Sequence, residues 1–365
     1  MSFKLITKNI KIKNKGQYIR KRHIYRIFGM PIFFRDDKTS YSKYMFDTYK
    51  TKRLDGNNLM SLSVGEYIAT SPDILEKIQR LLSGVAPKEA INILQIIKRL
   101  KDIYQNTIHS IQVLEQSEID ALRAIHTDFY DKILKINDEA FVYAGYFLPI
   151  NHFEAGVFYY KHSLDIFESS TLDSIRHRDF IDVGGFIGDS AIIFEKEFCD
   201  KKIYTFEATS VNYNLMLKTL KLNDSKRIVP INKGLGAKSS EIEISIAGSG
   251  STMSDATKSL WDSDTFQKVE RVEIITLDSY VEQHNIDVGF IKVDIEGFEQ
   301  EFLKGAKETI KRFKPAMLIS IYHNASDFFD IKPLIESWNL GYTFKFHKPV
   351  DGNISIETAL YCEVL

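Results

Sequence analysis

The sequence predicts an α/β fold: a mostly parallel sheet covered by helices on both faces and preceded by a helical extension. Three observations point there. From about residue 138, short apolar runs alternate with helical stretches, the rhythm of strand–helix–strand units. The run "FIDVGG" passes from a strand straight into glycines and then a helix. The run "FIKVD" places two charges inside an apolar strand, which a sheet covered on both faces accepts only when they are partnered or used.

The chain has 365 residues, enough for one large domain or two ordinary ones. Hydrophobic residues make up 44%, which excludes wholesale disorder. A formal net charge of -1 argues against reading phosphates over the whole surface, so no nucleic-acid partner is expected. Cys199 and Cys362 form neither a CxxC pair nor a zinc-ligand spacing, and fit free thiols in a reducing cytosol. No stretch approaches the roughly 20 apolar residues of a membrane span, and the N-terminus lacks the apolar core of a secretory signal. A soluble, cytoplasmic protein is the expectation.

Taken in order, residues 1–85 are basic and then mixed, with periods too weak to specify a fold. Ten Lys or Arg precede the first acid, Asp36. A solvated extension accounts for this; so does peripheral attraction to an anionic membrane surface or an acidic glycan. Within it, "RIFGMPIFF" carries Gly-Met-Pro between apolar runs, as a hairpin turn would. Residues 86–137 form a helical segment. Pro87 suits a first helical turn. Ile93, Ile97, Leu100, Tyr104, Thr107, Ile111 and Leu114 recur at spacings of four and three, the seam of a coiled coil or bundle helix. Residues 119–136 put Ile119, Leu122, Ile125, Phe129 and Ile133 on one helical face. Either the two helices pack on each other and on the main domain, or residues 87–136 make a homo-oligomer.

Residues 138–365 supply the main domain. Strands are expected at "FIDVG", "KIYTFEA", "RIVPIN", "EIEISIA", "RVEIITL", "GFIKVDIEG" and "AMLISIYH". Helices are expected over 189–198, 211–222, 299–313 and 331–338. The closing runs "YTFKFHK" and "TALYCEVL" are near enough to pair antiparallel at one edge. In such sheets ligands bind beyond the carboxyl ends of the strands.

Three clusters fall at those ends. In the first, Gly184, Gly185 and Gly188 lie between a strand and the helix opened by Asp189, and Glu207 ends the next strand. Glycines allow close backbone approach, and a carboxylate at that distance can accept from both ribose hydroxyls. A dinucleotide would want Gly-x-Gly-x-x-Gly. Here the spacing is Gly-Gly-x-x-Gly with Asp182 before it, and the added negative charge suits the sulfonium and ammonium of S-adenosylmethionine. A tight turn with no ligand is the remaining alternative. In the second cluster, "FIKVDIEGFE", Lys292 and Asp294 share one strand face. Both are catalytic candidates, although pairing of Lys292 with a carboxylate is an adequate structural account of that residue. Glu296 and Glu299 follow, with Glu296 a candidate substrate contact. The third cluster is Tyr322, His323 and Asn324, where a neighbouring strand empties into the same cleft.

These residues resemble the FkbM-type S-adenosylmethionine methyltransferases. The resemblance rests on "FIDVGGFIGDSAIIF", "YTFEATSVNYNLMLKTLKLN", "TLDSY", "IDVGFIKVDIEGFEQEFLKGAKETI" and "LISIYH", in that order, with "FEAGVFYYKHSLD" upstream and "ETALYC" at the end. It runs from about residue 151 to 365. It implies a Rossmann-like class I methyltransferase sheet of seven strands, the last antiparallel. It also implies methyl transfer, usually to an oxygen of a sugar or a secondary metabolite. By position, Asp182, Gly184 and Gly188 match the family's cofactor loop, Glu207 its ribose acid and Asn212 an asparagine in the following helix. Lys292, Asp294, Glu296, Gly297 and Glu299 match its Lys-x-Asp-x-Glu-Gly-x-Glu run. The chain departs from many relatives at Ala208, where they carry proline, and at Ser320, where they carry an acid.

The expected reaction is displacement at a sulfonium methyl by a hydroxyl of a small-molecule or glycan acceptor, a sugar of a surface polysaccharide or its precursor. Alignment does most of the work, and a base helps by about 10² to 10⁴. His323 is the first candidate base, because free imidazole titrates near neutrality; Asp294 is the second, or orients the hydroxyl. Tyr160 and His162, like Tyr322, are candidate acceptor contacts. Asp294, Glu296 and His323 carry donors of the kind Mg²⁺ takes, but no sequence spacing demands a metal and none is expected. Two rival functions remain: a non-catalytic binding protein on a methyltransferase scaffold, and a nicotinamide oxidoreductase, against which the glycine spacing speaks.

Overall fold

Seven short β-branched and aromatic runs assemble into one sheet. They are β1 (Asp179–Val183), β2 (Ile203–Phe206), β3 (Ile228–Ile231), β4 (Val288–Val293), β5 (Ala316–Ser320), β6 (Thr343–His347) and β7 (Ala359–Glu363). Their spatial order is β6-β7-β5-β4-β1-β2-β3. Pairing is parallel from β5 across to β3, while β7 runs antiparallel to both β5 and β6. The order reverses between β1 and β4, and that switch point is where the carboxyl ends open a cleft. This architecture is the one the sequence predicts, including the closing antiparallel pair. The computed structural model describes residues 6–14, 18–27, 30–40, 59–106, 115–247, 250–252 and 268–365.

Both faces of the sheet are covered, so its central strands are buried at every position. One face packs Phe180, Phe290, Leu318 and Tyr361 against Phe167 and Phe194. The other packs Ile181, Val183, Ile291, Val293 and Ile319 against the helices that follow β4 and β5. Strand alternation puts Asp182 and Lys292 on the aromatic face, and the register sets Lys292 directly beside Asp182.

The helical extension belongs to this same core. Helices Leu59–Thr70, Ile74–Leu82 and Pro87–Asn106 contribute Val64, Ile68, Leu81, Ile93, Ile97 and Leu100 to the cluster that holds Ile291 and Ile319. Lys332 Nζ donates to Ser83 O at 2.7 Å, Lys77 pairs with Asp330 at 2.6 Å, and Phe346 N donates to Glu89 at 3.0 Å. Over Ile93, Ile97 and Leu100 the seam is thus buried within the chain, as in the first of the two packings open to it from sequence, while Thr107, Ile111 and Leu114 lie outside the described residues.

Several boundaries differ from expectation, each for a local reason. The helix expected over 119–136 spans Gln116–Asp128, started by a reciprocal Glu115–Glu118 capping box and ended by the non-helical Phe129. Leu134–Asn137 is instead a strand beside Ala140–Tyr143. The helix over 299–313 breaks into Glu299–Gly305 and Lys307–Phe313 at Ala306, whose dihedrals leave the helical region. The last helix begins earlier, at Ala325, because Asn324 caps it by accepting from Asp327 N at 2.9 Å. Strands Ser240–Ala247 and Lys268–Ile275 pair with each other in a separate small sheet. In the basic N-terminal region, Ile6–Asn14, Tyr18–Ile27 and Met30–Ser40 form an antiparallel sheet with Ile27 opposite Met30, the hairpin expected around Gly29, which itself lies outside the described residues.

Candidate active site

The glycine turn after β1 is clamped against its neighbours. A Cβ on Gly184, whose φ is +79°, would stand 1.8 Å from Asp294 O, and one on Gly185 would stand 2.1 Å from Thr205 Oγ1. Glycine is thus required at both positions by the protein's own packing. The amides of Gly184 and Gly185 both donate to Phe206 O, at 3.1 and 2.8 Å, and Gly188 precedes Asp189, which starts the next helix.

Beneath the turn lies a buried strut. Asp182 accepts from Thr205 Oγ1 at 2.7 Å, and its other oxygen lies 3.3 Å from Lys292 Nζ. Lys292 donates in turn to Gly184 O at 2.8 Å. Burial opposes its charge, but Asp182, Asp294 and Asp189 outweigh that and raise its pKa. Both residues support the turn from below; the pairing considered for Lys292 from sequence is present, and its partner is Asp182.

Glu207 ties the turn to β2. Its carboxylate accepts from Phe186 N at 3.0 Å and from Thr209 N and Oγ1 at 2.9 and 2.6 Å, with Asn212 Nδ2 at 3.5 Å. Burial raises its pKa against these donors. The asparagine matched by resemblance thus sits beside the acid matched by resemblance. Asp189 is nearly buried, and burial followed by the charge of Glu154 pushes its pKa up to about 7, against His152 and Lys292.

A strained segment closes the other side. Lys161, His162 and Ser163 are consecutive residues with φ of 50°, 56° and 50°, a left-handed turn that non-glycine residues adopt only when surroundings impose it. Tyr361 Oη donates to His162 O at 2.7 Å, and His162 Nε2 lies 3.0 Å from Ser190 Oγ. Burial, with Lys292 nearby, lowers the His162 pKa to about 3, so its ring is neutral. Tyr160 Oη donates to Val350 O at 3.2 Å. Beyond the ends of β4, β5 and β7, a pocket is lined by Gly156, His162, Lys292, Asp294, Glu357 and Tyr361, among others.

Next to that pocket stands the acidic cluster. His323 Nδ1 is 3.0 Å from Glu299 Oε1, and Nε2 is 3.3 Å from Asp294 Oδ1 and 3.7 Å from Glu296 Oε2. The His323 side chain is 0% exposed, against 26% for Asp294 and 37% for Glu296. Burial works to lower the His323 pKa, but Glu299 and Asp294 overcome it and raise it well above the ordinary value. Burial likewise works against the Asp294 carboxylate, and His323 with Lys292 more than compensates, so its pKa is lowered. Tyr322 stacks on His323 with centroids 4.1 Å apart, and its hydroxyl lies 3.4 Å from Asp294. This placement changes the role expected for His323: it stands behind Asp294, charged and enclosed, and does not itself reach the cleft.

Three acids of the site are missing from the candidates read from sequence, although Glu154 and Glu357 stand in the runs "FEAGVFYYKHSLD" and "ETALYC" that carry the resemblance. Glu154 and Glu357 approach the pocket from loops distant in sequence, and burial with Glu154 nearby raises the Glu357 pKa. Asp327 reaches the His323 cluster as the third residue of a helix whose start the sequence misplaces. Only the expected nearness of two strand ends could have hinted at it.

No curated protein matches the chain in sequence. A methyltransferase FkbM from Methylobacillus flagellatus is 19% identical over 75% of this chain and 60% of its own, with a TM-score of 0.42. This chain thus spans 60% of that protein's length. An rRNA methylase from Streptococcus thermophilus is 12% identical over 54% of this chain and 93% of its own, with a TM-score of 0.30. Fibrillarin from Aeropyrum pernix, solved with natively bound S-adenosyl-L-methionine, is 13% identical over 52% of this chain and 68% of its own, with a TM-score of 0.30. Residues 182–344 of this chain match the family model of the methyltransferase FkbM domain, a stretch that holds the glycine turn, Glu207, the Lys292–Glu299 run and His323.

Proposed function

We propose that the protein binds S-adenosylmethionine and methylates a hydroxyl oxygen of a carbohydrate acceptor, a sugar of a surface glycan or its precursor, in the cytoplasm. The observation that carries the cofactor assignment is Glu207, buried at the end of β2 and holding the Phe186 amide of the glycine turn. A ribose diol at that strand end would meet an acceptor-only carboxylate. The wider donor set fits as well, because Asp189, Glu154 and Asp294 line the side of the turn where a sulfonium and an ammonium would lie, and a pyrophosphate would be repelled.

Held at Glu207 and the glycine turn, S-adenosylmethionine would supply an electrophilic methyl carbon, with its sulfur as the leaving group that keeps the bonding pair. The chain's own residues hold the acceptor and take its proton. Asp294 is the acid of the cluster that reaches the pocket, kept ionised by His323 and Lys292. It accepts the acceptor's hydroxyl hydrogen bond and then the proton. His323 fixes Asp294 from behind and is a positioning residue. Glu296, Tyr160, His162 and Tyr322 border the same space. The dense carboxylates favour a polyhydroxylated acceptor over an apolar one.

Isothermal titration with S-adenosylhomocysteine tests the cofactor. We expect one site per chain in the wild type and affinity at least tenfold weaker in Glu207→Gln, the size of a lost charge-assisted hydrogen bond of about 1.5–3 kcal/mol. Wild-type protein that binds NAD and not S-adenosylhomocysteine would overturn the reading. Binding without methyl incorporation into any glycan acceptor would favour a scaffold that recognises rather than modifies.

A further inference from the structure

Asp294, Glu299 and His323 stand on three different elements: the end of β4, the first turn of helix Glu299–Gly305 and the end of β5. One donor atom from each lies within 4.8 Å of the other two. Glu299 and His323 are both 0% exposed. Yet Glu299 Oε2 and both ring nitrogens of His323 lack a hydrogen bond of acceptable geometry, although Glu299 Oε1 stands 3.0 Å from Nδ1 and Asp294 Oδ1 3.3 Å from Nε2. An ion takes only one of those nitrogens, and donors about 2.1 Å from a tetrahedral ion stand about 3.4 Å from one another, so the three side chains would draw in as it binds.

Charge balance points the same way. Asp294, Glu296, Glu299 and Asp327 all stand close enough to act on the one imidazole of His323. Buried carboxylates are paired or coordinate metals. The nearest amine, on Lys292, is held by Asp182 and Gly184 O. The donors around Asp327, Gln300 and Asn324, serve Asp327, and Glu299 receives the Ile295 amide at 2.9 Å.

We propose that Asp294, Glu299 and His323 bind one divalent first-row transition cation of the Mn²⁺ or Zn²⁺ kind. One imidazole, which gives up its proton as the ion takes its place, with two carboxylates suits such ions better than Mg²⁺ or Ca²⁺, which prefer all-oxygen shells. Two ligands are sealed in the protein and the third, Asp294, opens to the cleft, the arrangement of a catalytic rather than a structural metal. An ion there would polarise the acceptor oxygen and ease loss of its proton. That use rests on the methyl-transfer reading above; binding of the ion does not.

The test is titration of metal-stripped full-length protein with Mn²⁺, followed by electron paramagnetic resonance, and with Zn²⁺ by calorimetry. Neither cofactor nor acceptor is added. We expect one equivalent per chain, and affinity at least tenfold weaker in Glu299→Gln, His323→Gln and Asp294→Asn. Thermal melting and S-adenosylhomocysteine binding report whether each variant is folded; if the two buried changes unfold the chain, the half-exposed Asp294→Asn decides. Wild-type protein that binds neither ion, or binding unchanged in the folded variants, overturns the site. S-adenosylhomocysteine binding without metal binding removes the ion alone. Metal binding without S-adenosylhomocysteine removes the methyl-transfer reading alone.

Discussion

At the scale of single residues, the buried pair Asp182–Lys292 decides the state of the glycine turn. Lys292 is the only cation recorded against Asp182 among the described residues, so Lys292→Met strands a carboxylate in the core. We expect a loss of about 3–5 kcal/mol, and a smaller loss when Asp182→Leu accompanies it; urea denaturation of the single and double variants measures the difference. Asp189 gives a pH signature. Its folded pKa is near 7 and its unfolded value about 3.9, so the folded state holds the proton more tightly. Its contribution is therefore favourable below about pH 4 and is lost progressively as pH rises to about 7. Asp189→Asn, which cannot ionise, should gain on the wild type in melting temperature from pH 5 to 7, with the gap constant above. Equal gaps at every pH would mean that His152 and Lys292 neutralise Asp189 in place.

At the scale of elements, two backbone devices shape the cleft. One is the glycine turn, in which Gly184 meets the Asp294 carbonyl across the switch point. Gly184→Ala imposes both a positive φ on a substituted residue and a clash with backbone, so we expect about 2–4 kcal/mol of destabilisation in chemical denaturation. Retained stability would mean that β4 can move away from β1. The other device is the left-handed turn at Lys161, His162 and Ser163, held by Tyr361 from β7. The sequence shows nothing of it, because no glycine or asparagine marks those positions. The helices following strand ends were legible from period and spacing, whereas the Ala306 break and the Asn324 cap were masked by apolar periodicity running across them.

At the scale of the molecule, the helices over residues 59–106 are part of the main domain's core, not an appendage. Leu100 is 0% exposed and shares a cluster with Ile291 of β4. Leu100→Ala should cost about 2–5 kcal/mol and lower the unfolding temperature of the whole domain. Loss of helical circular dichroism and loss of S-adenosylhomocysteine binding should then fall in one transition; two separate transitions would show the helical extension to be an independent unit.

The sequence by itself determined the sheet and its antiparallel closing pair, the glycine turn, and the acids at the strand ends. Those features are written locally, in alternation of period two, in helical period and in short motifs whose residues are contiguous. Tertiary structure alone decided what each charged residue does. Lys292 and Asp294 share a strand face, yet one turns to Asp182 under the turn and the other to the pocket. His323 looks like a free base in sequence and becomes an enclosed cation because Glu299, Glu296 and Asp294 converge on it from another strand end. Desolvation and proximity set those charges, and both arise only when segments far apart in the chain meet.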